Sequence, residues 1–157
     1  MAKHAVFNSD LMFGTQNPAG LINVLIPEDL DNGSVLKIGA LVAGSHDVFT
    51  GTKPAASDTL ASLCIVAAPE VMYDEKLNLL SDFYNMVNVN GGVVRGYLLH
   101  SGDIFSMTKE GFSGTPAVGA SVNVAAAYKL AAGASSGTKV GTIIAQEGDY
   151  YVVRVLA

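Results

Sequence analysis

The chain has 157 residues, half of them hydrophobic and only 15% charged, with a formal net charge of −5. That length suits one ordinary domain, and the apolar content excludes a chain disordered throughout, because enough apolar surface is available to offset chain entropy. The acidic balance argues against a phosphate-binding surface for nucleic acid, and no apolar run reaches the roughly 18 residues that a membrane-spanning helix needs.

The opening stretch MAKHAVFNSD has one Lys but no apolar core or cleavage pattern. No secretory signal is expected, and synthesis in the cytoplasm is. Residues 1–20 show no sustained period and end in Asn17-Pro18 and Ala19-Gly20 breakers, which predicts an extended N-terminal arm or irregular lead-in. Residues 21–157 then form a single β-rich domain. Leu21 to Ile26 and Ser34 to Val42 read as two β segments, with Asp31-Asn32-Gly33 supplying the left-handed backbone of a hairpin-like connection.

Gly44 to Ser57 is dense in turn residues, and Leu63 to Ala67 is an apolar run stopped by Pro69, which predicts a buried strand. The single cysteine, Cys64, lies in that run; it rules out an internal disulfide and a Cys-based metal site, and reads as a buried small hydrophobe. In EVMYDEKLNLLSDFYNMVNVN, Tyr73, Leu77, Leu80 and Tyr84 fall at helical spacing. Asn78, Asn85, Asn88 and Asn90 lower helix propensity there, so a helix and an irregular loop both stand.

After Asn90 the β signal strengthens. GGVVRGYLLHSGDIFSMTKEGF reads as strand, hairpin bend at Ser101-Gly102-Asp103, strand, and a second turn at Lys109-Glu110-Gly111. ASVNVAAAYKLAAG alternates small and polar residues, ASSGT is a flexible turn, and KVGTIIAQEGDYYVVRVLA is a hairpin bent at Gly148-Asp149. In its second strand Val152, Arg154 and Leu156 face away from Tyr151, Val153 and Val155, so the strand is central or its outer side is covered by a partner. The expected fold is mainly β: a compact β-barrel or sandwich with at most one or two short helices and an extended N-terminal arm.

Candidate chemistry is weak throughout. His100, Ser101 and Asp103 are the residue types of a hydrolytic triad, but neighbouring strand residues project to opposite faces, and Asp103 in a Ser-Gly-Asp bend caps its own backbone. Turn chemistry is the expectation. His4, His46 and His100 are far apart in sequence, and only His46-Asp47 places metal-ligand types side by side. Glu28, Asp29 and Asp31 resemble half a calcium loop without its closing Glu, so a solvated turn is expected. Gly133 to Lys139 misses the phosphate-loop spacing and reads as a hairpin loop, and Tyr150-Tyr151 lack the interleaved basic residues of a base-stacking groove. No catalytic, cofactor or metal residue is assigned. Cofactors are expected to be none.

The series DNGSVLKIGAL, APEVMYDE, SDFYN and VRGYLLHSGDIFSMTKEGFSGTPAVGASV resembles small head structural proteins of tailed bacteriophages, of the capsid decoration or auxiliary type. The similarity covers about residues 28–157, and its most specific piece is Arg95-Gly96-Tyr97 followed by Gly102-Asp103-Ile104-Phe105. The resemblance implies a non-enzymatic virion protein, made in the host cytoplasm, that binds the outside of the major-capsid lattice and reinforces it. It carries over no functional residues. Arg95 and Arg154, the only arginines, are candidates for fixed ion pairs, with an internal barrel salt bridge the plainer role. The expected partners are the major capsid lattice and further copies of the chain, a trimer being the natural guess, with no nucleic acid and no membrane. The alternatives are another virion component (tail tube, head fibre or adsorption module) and, further off, a β-barrel enzyme or ligand-binding domain with a pocket around His100.

Overall fold

The computed structural model describes residues 4–69 and 87–156. The fold is mainly β, as the sequence predicts. In chain order the elements are β1 (Phe7–Leu11), a one-turn helix α1 (Phe13–Gln16), β2 (Leu21–Leu25), β3 (Val35–Leu41), β4 (Val48–Thr52), β5 (Leu63–Val66), β6 (Val93–Leu98), β7 (Ile104–Thr108), β8 (Phe112–Ser113), β9 (Ser121–Asn123), β10 (Leu130–Ala132), β11 (Lys139–Glu147) and β12 (Tyr150–Val155). Single 3-10 turns precede β2, β5 and β8. The helix candidate at Tyr73, Leu77, Leu80 and Tyr84 lies outside the described residues.

Five strands close a barrel in the order β2-β4-β3-β5-β6, and the other seven form a sheet in the order β1-β7-β12-β11-β9-β10-β8. The barrel wall is shared property. Strand side chains alternate between faces, so in β5 Cys64 and Val66 fill the barrel interior with Val24, Ile26, Leu30 and Leu36. Leu63 and Ile65 point the other way, into a larger core with Tyr97, Phe105, Met107, Ile143, Val153 and Val155. A strand buried on both faces has no polar alternation to show, and LCIV accordingly reads as an unbroken apolar run.

So narrow a barrel leaves little room inside. A Cβ on Gly51 would sit 2.9 Å from both Leu36 Cδ1 and Val24 Cγ1, and one on Gly96 would sit 3.0 Å from Cys64 Sγ. Glycine is required there by close approach of neighbouring side chains rather than by backbone conformation.

The connections differ from the sequence expectation in four places. β2 and β3 are not a hairpin: β2 pairs with β4 in parallel and with β6 antiparallel, while β3 pairs with β4 and β5. Gly33 does take the left-handed conformation at φ +88°, but the loop around it is anchored elsewhere. Asn32 is buried and holds Ala68 through both its amide groups, at 3.0 and 3.1 Å, and Asn88 donates to it at 2.9 Å.

Likewise β6 and β7 are joined by a bend without pairing. β6 lies between β2 and β5 in the barrel, and β7 lies between β1 and β12 in the sheet. Ser101-Gly102-Asp103 is therefore the crossover from barrel to sheet. The third difference is residues 133–138, which connect two strands on either side of β9. Asn123 in β9 donates to the carbonyls of Ala134 and Ser136 at 3.2 and 3.0 Å, wrapping this loop around itself.

The fourth is the N-terminal lead-in, which is built into the body from His4 onward. β1 pairs antiparallel with β7, Val6 and Thr108 exchange backbone and side-chain hydrogen bonds at 3.1 Å, and Phe7 and Met12 are core residues. The periodicity is hidden because β1 is an edge strand whose register shifts between Asn8 and Leu11, which breaks the alternation. The C-terminal hairpin follows the sequence: Glu147 faces Tyr150 across Gly148-Asp149, with Gly148 at φ +59°.

Candidate functional site

The HSGD crossover is the place where triad residue types meet, and its geometry is that of a structural joint. Asp103 is 5% exposed. One carboxylate oxygen accepts from the His100 amide at 2.9 Å and the other from the Phe13 amide at 3.0 Å. His100 Nδ1 stands 4.0 Å from the carboxylate, beyond hydrogen-bonding distance, and its ring packs on Phe13 with centroids 4.4 Å apart. Ser101 and Gly102 are exposed, Gly102 at φ +92°. Its amide donates to the Val155 carbonyl at 2.8 Å, and the Val155 amide donates to the Asp103 carbonyl at 2.8 Å, so the bend is stitched to the end of β12.

A shallow groove of about 230 Å³ runs between this bend and the start of α1, lined by Leu11, Phe13, Gln16, His100 and Ser101. Catalysis by the triad route needs an imidazole oriented by the carboxylate and within reach of the hydroxyl. Here the carboxylate orients two peptide amides.

A second, larger cleft of about 520 Å³ lies over the β2–β3 loop, lined by His4, Glu28, Asp29, Asp31, Tyr128 and Lys129 among others. The acidic loop is exposed at Glu28 and Asp29, as expected of a solvated turn, and is also tied to neighbouring segments. Asp31 accepts from the Ala5 amide at 3.0 Å and lies 2.6 Å from His4 Nδ1, and Asp29 accepts from the Asn90 amide at 2.8 Å. Burial, then the nearby Glu28 charge, pushes the Tyr128 hydroxyl above its ordinary value. Its ring carries Lys53 Nζ at 5.1 Å from the centroid, a cation–π distance. The His4–Asp31 pair is invisible in sequence: the two residues are 27 positions apart, with no motif linking them.

The remaining sequence candidates stay apart. His46 is exposed, and its neighbour Asp47 belongs to a turn in which Ser45 Oγ donates to Asp47 at 3.1 Å. The three histidines do not converge, and no group of three or more His, Cys, Asp or Glu that could hold a metal ion occurs among the described residues. Cys64 is fully buried in the barrel, where desolvation pushes its thiol up to about 12. Arg95 and Arg154 are both exposed, and neither forms an ion pair among the described residues. Both side chains lie on the outward side of their strands, and among the described residues neither makes the expected internal salt bridge.

The surface that sequence reasoning only partly located is the outer side of the large sheet. Val153 and Val155 point into the core, while Arg154 and Leu156 point outward, Leu156 with 40% exposure. Leu11 and Ile144 join them with 52% and 47% exposure. Against known proteins, the chain matches no family model, and no curated sequence matches it.

Proposed function

We propose that the protein is a non-enzymatic structural component of a tailed-phage head that binds the outside of the assembled major-capsid lattice and reinforces it. The observation that carries this reading is the part played by Asp103. The stretch on which the resemblance rests, from Arg95 to Phe105, forms the joint between barrel and sheet: Gly96 admits Cys64 to the barrel wall, Tyr97 belongs to the shared core, and the Asp103 carboxylate clamps two backbone amides. Residues so employed favour a rigid body whose work is done by its surface.

Such a protein stabilises a shell by linkage. It binds the intact lattice more tightly than the disrupted one, and the difference in binding free energy adds to shell stability. A copy touching two neighbouring capsid subunits makes its second contact at a high effective concentration, so weak contacts suffice.

The test is to add purified protein to capsids that lack it, and to measure saturation stoichiometry and the temperature at which DNA is released. Saturable binding at a fixed ratio to capsid subunits with a higher release temperature supports the reading. No binding, or recovery of the protein in purified tails instead of heads, refutes it. A His100→Ala variant that binds capsids like the wild type separates this role from a His100-based activity.

A further inference from the structure

Arg95 and Tyr97 lie two residues apart on β6 and so share a face of the strand. Gly96 between them is turned toward Cys64 in the barrel interior, which places Arg95 and Tyr97 on the outside, on the side of β1. There Phe7 and Ser9 also share a face: the Phe7 ring centroid lies 6.1 Å from that of Tyr97, and the Ser9 hydroxyl lies 3.4 Å from the Tyr97 hydroxyl. With Ala67 and Pro69, which follow β5, these residues line a cleft of about 240 Å³. Its wall is held in place by backbone contacts. The Ala67 amide donates to the Arg95 carbonyl at 3.0 Å, and Ala68, also in the lining, is gripped by the Asn32 amide through its own N–H and carbonyl.

The cleft holds a surplus of hydrogen-bond donors. Two hydroxyls in mutual contact use one O–H, whichever of them donates, and leave the other over. Neither has a further partner among the described residues, and Tyr97 is only 8% exposed. The five N–H donors of Arg95 are likewise without a partner among the described residues. No acidic residue belongs to the lining, whereas the groove beside α1 includes Asp103 and the larger cleft includes Glu28, Asp29 and Asp31. In a chain with a net charge of −5, this is a cationic hollow.

We propose that the cleft binds a carboxylate, presented by an acidic side chain of a protein partner. The planar guanidinium of Arg95 matches the two oxygens of a carboxylate, and the spare hydroxyl proton of the Ser9–Tyr97 pair adds a third donor. Phe7, Ala67 and Pro69 supply apolar walls that exclude water around the ion pair and strengthen it. A lone guanidinium with two neutral hydroxyls suits a monoanion better than a phosphate dianion. The volume lies below the roughly 300 Å³ at which pockets for whole small molecules begin, which favours a single inserted side chain. The cleft is fixed by the backbone before the ligand arrives, so little ordering is needed on binding. On the reading above, on which this step rests, the acidic side chain belongs to a capsid subunit.

The test has two arms, with circular dichroism confirming the fold of each variant. In the first, labelled protein is titrated with acetate, with chloride and inorganic phosphate at matched ionic strength as controls, and the Arg95 Nε–H resonance is followed by NMR. A saturable shift is expected with acetate, lost in Arg95→Gln and weakened in Tyr97→Phe. No saturable shift, an equal shift with chloride, a stronger response to phosphate, or an acetate response that survives Arg95→Gln overturns the carboxylate site. In the second arm, Arg95→Gln should weaken binding to capsids about tenfold, with Arg95→Lys in between because it keeps the charge and loses the fork. Wild type and Arg95→Gln that saturate capsids alike overturn this proposal and leave capsid binding standing. A wild type that responds to acetate through Arg95 but ignores capsids overturns the capsid reading and keeps the carboxylate site.

Discussion

The Asp103 carboxylate accepts a hydrogen bond from the backbone amide of Phe13, 90 residues earlier in the chain, at 3.0 Å. Its other oxygen holds the His100 amide at 2.9 Å, so one buried side chain fastens α1 to the barrel–sheet crossover. Removing a charged acceptor leaves two amides unpartnered and costs about 2–3 kcal/mol. Asp103→Ala should therefore lower the midpoint of thermal unfolding by about 5–10 °C for a domain of this size, with Asp103→Asn intermediate. His100→Ala, which removes a half-exposed ring packed on Phe13 but leaves both amide hydrogen bonds in place, should shift it less. Equal effects of the two alanine variants would contradict this division of labour.

Phe7 distinguishes a built-in strand from a detached arm. It is 7% exposed, with ring centroids 5.5 Å from Phe105 and 6.1 Å from Tyr97. Phe7→Ala should cost about 3–5 kcal/mol in urea unfolding, the range for aromatic truncation in a core. A surface arm would give less than about 0.5 kcal/mol.

Cys64 should resist alkylation in the native protein and react once the barrel opens in denaturant, because a buried protonated thiol is not a nucleophile. With the folded thiol pushed from 9.0 to about 12, its contribution to stability is full below pH 9 and declines as pH rises above it, where the unfolded chain ionises first. Unfolding followed from pH 8 to pH 10 should show that decline, and Cys64→Ala should reduce it.

Asp58 governs part of the acid limb. Its hydrogen bond from Lys37 at 2.8 Å, then that from the Ala55 amide, holds its carboxyl below the ordinary 3.8. A depressed carboxylate stabilises the fold above its unfolded value, and that contribution disappears as pH falls through the folded value. Asp58→Asn should be less stable than the wild type at neutral pH, and the two should converge below pH 3.8. A gap that widens with acidification would refute the assignment.

The individual strands were legible where one or both faces are buried. LCIV announced β5, and Gly148-Asp149 announced the C-terminal hairpin, because both signals are local. Pairing was not legible at the other bends. Gly102 and Gly33 mark a left-handed backbone, but a turn residue cannot say whether the strand beyond it returns to its neighbour or leaves for another sheet. That choice depends on which edges β2, β5, β1 and β12 occupy. The buried role of Asn32, in an Asn-Gly pair that reads as an exposed turn, depends on Ala68 and Asn88 in the same way. For the candidate surfaces, the outward set on β12 was visible from alternation, while its alignment with Leu11 needed the register shift in β1.

The order of the strands also constrains how the molecule assembles. β1 comes off the ribosome before any barrel strand, yet its partner β7 follows the last of them, so all five barrel strands are synthesised before β1 can take its place. Pairings so distant along the chain put folding among the slow, non-local topologies, in milliseconds to seconds. Until Ile104 to Thr108 arrives, Phe7 and the outward residues Leu63 and Ile65 lack their packing partners Phe105 and Met107, and it is this half-built species that a chaperone would meet.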